Sequence, residues 1–316
     1  MAKVFAYPEG VYAVDAEYVR PLLAAVHLVV HRDRVAVVDT GAFNAVEPVM
    51  AALAGMGLGP EAVDWLFLTH VHLDHAGAAG ALMARCPNAR LAVHPRGLRH
   101  MVDPSKLWAG AAGVYGDEAV RKLYGEPIPV AAERVVEATE GLELDLAGRV
   151  FRFLDTPGHA RHHVCIWDAT SRGFFTGDTF GLSYRDLDVD GRPSIFPTTT
   201  PVQFEPEAMH GSIDRMLGFD PRAMYLTHFG RVQEVPRLAA DLHRLIDAHV
   251  AVARGAESGP GRHHAIRAGL ENLLREEALG QGWTLPEAAL FELFETDLEL
   301  NAQGLGVWLD GQVKGQ

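Results

Sequence analysis

The feature that most constrains this chain is Thr69-His70-Val71-His72-Leu73-Asp74-His75-Ala76-Gly77, three imidazoles and a carboxylate directly after the apolar run Trp65-Leu66-Phe67-Leu68. In an extended segment His70 and His72 point to the same side, and Asp74 and His75 follow at the turn into a helix, facing an adjacent point. The spacing therefore divides the donors into two pairs suited to two neighbouring ions. Imidazole nitrogen and carboxylate oxygen suit zinc, iron, manganese and cobalt, and the thiolates of a closed structural zinc site are missing from the cluster. The competing interpretation is a histidine-rich surface loop, which the strand-to-helix setting disfavours.

The surroundings of this segment predict an α/β fold. Short apolar runs at Val26 to Val30 and Val35 to Val38 end in turns and read as strands. Val46 to Gly55 has helical spacing, and Asp64 to His70 returns to a short buried strand. Further strands are expected at Arg90 to His94, Val150 to Leu154, His163 to Trp167, Gly173 to Thr176 and Ala223 to His228. Two of them end in Leu-Thr-His, at His70 and at His228. This puts both histidines at strand ends, where ligand sites of α/β proteins lie.

Two stretches break the rhythm. Pro95 to Ala138 reads as a helical insertion without a strand, with Trp108, Tyr115 and Tyr124 available to line a pocket or to pack. Arg237 to Leu300 is helix-rich, with Leu238, Leu242, Leu245 and Ile246 on one face, Pro286 opening a later helix and Gly255 to Gly261 an exposed connection. The expected organisation is a catalytic domain over residues 1–232, with its insertion at about 95–138, and a helical extension over 233–316.

Composition narrows the partners. A formal net charge of −13 repels nucleic-acid backbones and anionic membrane surfaces and favours a small-molecule substrate. Cys86 and Cys165 form no paired motif, and neither a secretory signal nor an apolar run of membrane-spanning length is apparent. A cytoplasmic protein is expected, with a homodimer possible through the apolar face of the tail helices.

The motif His70-x-His72-x-Asp74-His75 resembles that of the metallo-β-lactamase superfamily, and the resemblance extends over about residues 11 to 232. Asp39-Thr40-Gly41 is similar to the family's first motif, where the Asp orients a ligand histidine. Thr156-Pro157-Gly158-His159, Thr176-Gly177-Asp178-Thr179 and Leu226-Thr227-His228 resemble the later motifs. The resemblance implies the αββα sandwich of that family. It also implies one divalent ion on His70, His72 and His159, a second on Asp74, His75 and His228, and Asp178 bridging both. His163 is read as structural and not as a ligand, and the remaining histidines as surface or packed side chains.

The resemblance further implies hydrolysis of an activated carbonyl compound, a lactone, thioester or ester, by a metal-bridging hydroxide, with Asp74 relaying a proton and zinc the first choice of metal. It does not select one substrate. Acyl-homoserine-lactone lactonases place a Tyr three residues beyond the bridging Asp, where this chain has Gly181. The long region Pro95 to Ala138 and the polar stretch Tyr184 to Thr200 do not fit the compact layout of glyoxalase II. Two other classes stay open: a mononuclear iron persulfide dioxygenase, which uses a subset of these ligands, and a metal-binding protein without catalysis.

Overall fold

A computed structural model describes residues 2–199 and 202–314. Its contacts gather into two compact units: Met1–Asp155, His162–Gly177 and Asp220–Val232 form the first, and Thr156–Arg161, Asp178–Phe219 and Gln233–Gln316 the second.

The first unit contains two sheets. One runs in chain order through β1 (Val4–Tyr7), β2 (Val11–Asp15), β3 (Ala25–His31), β4 (Arg34–Val38), β5 (Val63–Phe67), β6 (Arg90–Val93) and β7 (Val135–Glu137). The other comprises β8 (Glu143–Leu146), β9 (Arg149–Asp155), β10 (Val164–Asp168), β11 (Gly173–Gly177), β12 (Ala223–Leu226) and β13 (Gly230–Val232). The turn between β3 and β4 puts Arg32 and Asp33 at φ of 48° and 61°, the pair of left-handed residues that a two-residue hairpin needs to follow strand twist. From β4 to β7 pairing becomes parallel, which requires crossovers. These are α1 (Val46–Gly55) after β4, α2 (Leu73–Ala76) and α3 (Ala79–Arg85) after β5, and α4 (Pro95–Val102), α5 (Ser105–Tyr115) and α6 (Asp117–Tyr124) after β6.

Alternation along the strands builds two cores. Val11, Val29, Ala36, Val38 and Phe67 meet Phe151, Phe153, Ile166, Phe175 and Tyr225 of the other sheet, with the Phe67 ring edge-on to Phe151 and Phe153 at 5.3 and 5.1 Å. The opposite face of the first sheet, including Leu28, Val35, Val37 and Leu66, is covered by Val49 and Leu53 of α1 and Leu82 of α3. Cys86 is a free, buried thiol pushed up to about 11 by burial, an inert packing residue.

The expectation of a strandless 95–138 segment needs correction. Three residues, Val135 to Glu137, pair in parallel with Leu91 to Val93 and complete the sheet edge. A strand this short is specified by its neighbour and not by its own periodicity.

In the second unit, α7 (Pro206–Leu217), α8 (Val235–Gly255), α9 (Arg262–Gln281) and α10 (Glu287–Lys314) form a helical assembly. Leu238, Leu242, Leu245 and Ile246 are buried, as their one-face spacing predicts, together with Ile266, Leu270 and Leu274 of α9 and Phe294, Leu298 and Leu305 of α10. Pro286 stands immediately before α10, and Gly255 to Gly261 joins α8 to α9. No helix among the described residues is long and apolar enough to cross a membrane.

Candidate metal centre

His70 follows β5 within the first unit, and Asp74 and His75 lie on α2, so the histidine-rich segment turns from strand to helix as its sequence implies. His70 Nε2 and His72 Nδ1 lie 2.9 Å apart, and the rings of His70 and His75 are 4.0 Å apart between centroids. His228, two residues beyond β12, brings its Nε2 to 3.4 Å from Asp74 Oδ2, and the same oxygen is 3.6 Å from His75 Nε2. One donor atom each from Asp74, His75 and His228 falls within 4.8 Å of the others, a group that could hold a metal ion.

The outer nitrogens explain why His70, His75 and His228 present Nε2 inward, whereas His72 turns its Nδ1 toward His70. His75 Nδ1 donates to Asp39 Oδ2 at 2.8 Å, and His228 Nδ1 donates to the Leu23 carbonyl at 2.9 Å. His70 Nδ1 is 3.1 Å from the Thr69 hydroxyl. A proton held on Nδ1 leaves the Nε2 lone pair available to a cation, so the donor chemistry fits a divalent metal.

Asp39 joins these segments. It sits directly after β4 at φ 55°, a left-handed conformation that Asp tolerates better than most residues. Its carboxylate accepts from the Thr69 amide at 2.8 Å and the Thr69 hydroxyl at 3.0 Å, and from the Thr227 hydroxyl at 2.9 Å. Thr40 adds a backbone and a hydroxyl bond to the His75 carbonyl at 2.6 and 2.8 Å. The two Leu-Thr-His sequences are thus matched in function, because each Thr ties its strand end to one carboxylate. Sequence reading found Asp39 and the histidines but missed Thr69 and Thr227, for which the repeated tripeptide was the available signal.

Gly177 permits the close approach of β11. A Cβ there would lie 2.5 Å from Thr69 Oγ1 and 2.6 Å from His163 Nε2, and its φ is +47°. His163 itself is buried with its ring 4.9 Å from that of His70. His162 is also within this unit, 5.6 Å from the His72 ring, and burial before all else lowers it to about 3, leaving it neutral.

His159 and Asp178 belong to the second unit. His159 follows Gly158, whose φ of +138° and lack of a side chain let the turn sit against Met209 of α7. His159 Nε2 faces Asp178 Oδ2 at 3.5 Å, and its Nδ1 lies 3.0 Å from Thr198 Oγ1. That hydroxyl is also 3.3 Å from the Asp178 carbonyl, to which it donates, so its oxygen accepts the Nδ1 proton and Nε2 keeps its lone pair. Thr199 is held in turn by buried Asn301 of α10, whose Oδ1 accepts from the Thr199 amide at 2.7 Å. Sequence reading missed Thr198 and Asn301, because nothing local marks a threonine or a helix-borne asparagine as supporting a histidine.

Of the insertion aromatics, Trp108 lines a small apolar cavity with Leu73, Ala76, Met101 and Leu107, while Tyr124 is buried with its hydroxyl 2.7 Å from that of Tyr18. The side chain of Tyr115 lies outside the described residues.

A family model described as the metallo-beta-lactamase superfamily matches residues 19–228. The chain belongs to that superfamily. Its fold is the corresponding sandwich, with a helical insertion and a helical C-terminal extension. The metallo-beta-lactamase fold-containing protein ST1585 of Sulfurisphaera tokodaii is 26% identical over 228 residues, 71% of this chain and 79% of that protein. A hydroxyacylglutathione hydrolase of Stenotrophomonas maltophilia is 34% identical over 161 residues, 49% of this chain and 48% of its own length, so the chain spans about half of that relative. A solved structure of an archaeal metallo-beta-lactamase superfamily protein, ST1585 from Sulfolobus tokodaii, covers 95% of this chain and 99% of its own at a TM-score of 0.65 and 21% identity, a likeness of fold.

Proposed function

We propose that this protein is a dinuclear metal-dependent hydrolase of a small activated carbonyl compound, a lactone, thioester or ester. In this reading His70, His72 and His159 would hold one ion, Asp74, His75 and His228 would hold the other, and Asp178 would serve both. The observation that carries it is the Asp74, His75 and His228 donor group, with the outer nitrogens of both histidines already engaged by Asp39 and Leu23. Relatives named hydroxyacylglutathione hydrolase support hydrolysis as the reaction class.

Two divalent ions, zinc first with iron, manganese or cobalt as alternatives, would supply Lewis acidity and a water that ionises near neutral pH. The chain's own residues do the rest. Asp39 and the Leu23 carbonyl accept from the Nδ1 atoms of His75 and His228 and orient their rings. The Asp74 side chain is 23% exposed, against 0% for His75, so solvent reaches it. It is suited to hold a proton during turnover. The net charge of −13 agrees with a small-molecule partner and disfavours nucleic acid.

Metal content per chain, measured together with turnover on a panel of lactones and thioesters, tests this proposal. Two divalent ions with turnover of one panel class is the expected result. One iron per chain with oxygen consumption would replace it with a mononuclear dioxygenase, and two ions without any turnover would favour a binding protein.

A further inference from the structure

A pair of histidines on the second unit has no part in the proposed reaction. His210 of α7 and His243 of α8 stack with centroids 4.9 Å apart and ring planes 15° apart, and their Nδ1 atoms approach to 2.6 Å. Each outer nitrogen faces a carboxylate of the other helix: His210 Nε2 is 3.1 Å from Asp247 Oδ1, and His243 Nε2 is 3.2 Å from Asp214 Oδ1. The arrangement is reciprocal, with one histidine and one aspartate from each helix.

The carboxylates favour a proton on each Nε2, which leaves a lone pair on each Nδ1. Two lone pairs at this separation repel unless a positive charge lies between them. We propose that His210 and His243 bind one divalent transition-metal cation through their Nδ1 atoms, tying α7 to α8. Two imidazoles select zinc, nickel or copper over the oxygen-seeking magnesium and calcium. Metal–nitrogen bonds of about 2.0–2.1 Å put two donors of a tetrahedral ion about 3.3 Å apart, so the nitrogens part by roughly 0.7 Å on loading. The histidine side chains are 25% and 26% exposed, which gives the ion a path in and leaves water to complete its coordination. Asp214 and Asp247 orient the rings and offset the added charge.

The test compares the full-length protein with a His210→Ala/His243→Ala variant, each titrated calorimetrically with Zn²⁺ alone. The wild type is expected to take up one equivalent more than the variant, and equal stoichiometry would overturn the proposal. In case that variant loosens the helices, Asp214→Asn/Asp247→Asn keeps both rings and is expected to weaken the extra equivalent about tenfold or more. Long-range proton–nitrogen NMR supplies an independent readout. Zn²⁺ should move the Nδ1 signals of His210 and His243; signals unmoved by Zn²⁺, as a proton shared between the rings would leave them, would overturn the assignment.

Discussion

At the scale of single residues, Asp39 ties together the segments that carry the candidate donors. It fixes the His75 tautomer and holds the threonines that precede His70 and His228. Asp39→Asn presents an amide that can set its NH₂ against the His75 Nδ1–H, so metal affinity is expected to fall about ten- to a hundredfold. Competition with a chromophoric chelator measures this, and unchanged affinity would remove Asp39 from its positioning role. Asp178 is tested differently, because the proposed centre asks it to serve both ions. Asp178→Ala should lower total metal content and nearly abolish turnover. Full activity with full metal content in that variant would defeat the dinuclear reading.

At the scale of elements, α10 supports a histidine through a chain of polar contacts. Asn301 accepts from the Thr199 amide and donates to the Pro197 carbonyl at 3.2 Å, and the adjacent Thr198 engages His159. Thr198→Val removes the acceptor for the His159 Nδ1 proton. It is expected to weaken metal binding and, by stranding a buried ring N–H and a buried carbonyl, to cost about 1–3 kcal/mol for each, and Thr198→Ser should restore both binding and stability. If Thr198→Val and Thr198→Ser behave alike, the hydroxyl has no such role. Asn301→Leu leaves a buried amide and a buried carbonyl without their partner, at about 1–3 kcal/mol each, which urea unfolding would resolve. The C-terminal helices are thereby linked to a predicted ligand and are more than an appendage.

At the scale of the whole molecule, buried neutral histidines set the response to acid. His27, packed against Phe175 and Tyr225, and His249, packed against Phe196, are each lowered to about 4, in both cases by burial first. Unfolding returns them to their ordinary value near 6.5, so between about pH 6.5 and about pH 4 the unfolded chain binds more protons than the folded one. Stability is therefore full above that window and lost as pH falls through it. At roughly 1.4 kcal/mol for each tenfold change in proton affinity, the loss amounts to several kcal/mol. Thermal melts of chelator-treated protein across this window should show the decline, and His249→Leu should flatten it. A melting temperature insensitive to pH would contradict the neutral burial of these rings.

The sequence by itself determined the order of the candidate donors and the placement of His70 and His228 just beyond strand ends, because a strand-to-helix turn and a one-face helix are local properties written in spacing. It also determined the helical tail, whose Leu238, Leu242, Leu245 and Ile246 face the interior as their period requires. Only the tertiary structure decided what stands behind the candidate donors. Asp39 meets Thr227 across 188 positions, and Asn301 meets Thr199 across 102. The edge strand Val135–Glu137 exists through its pairing with β6, and His210 meets His243 through the packing of α7 on α8. Such contacts follow from sheet register and helix packing, which place polar groups together by the burial of apolar neighbours far along the chain and so leave no mark in the residues nearby.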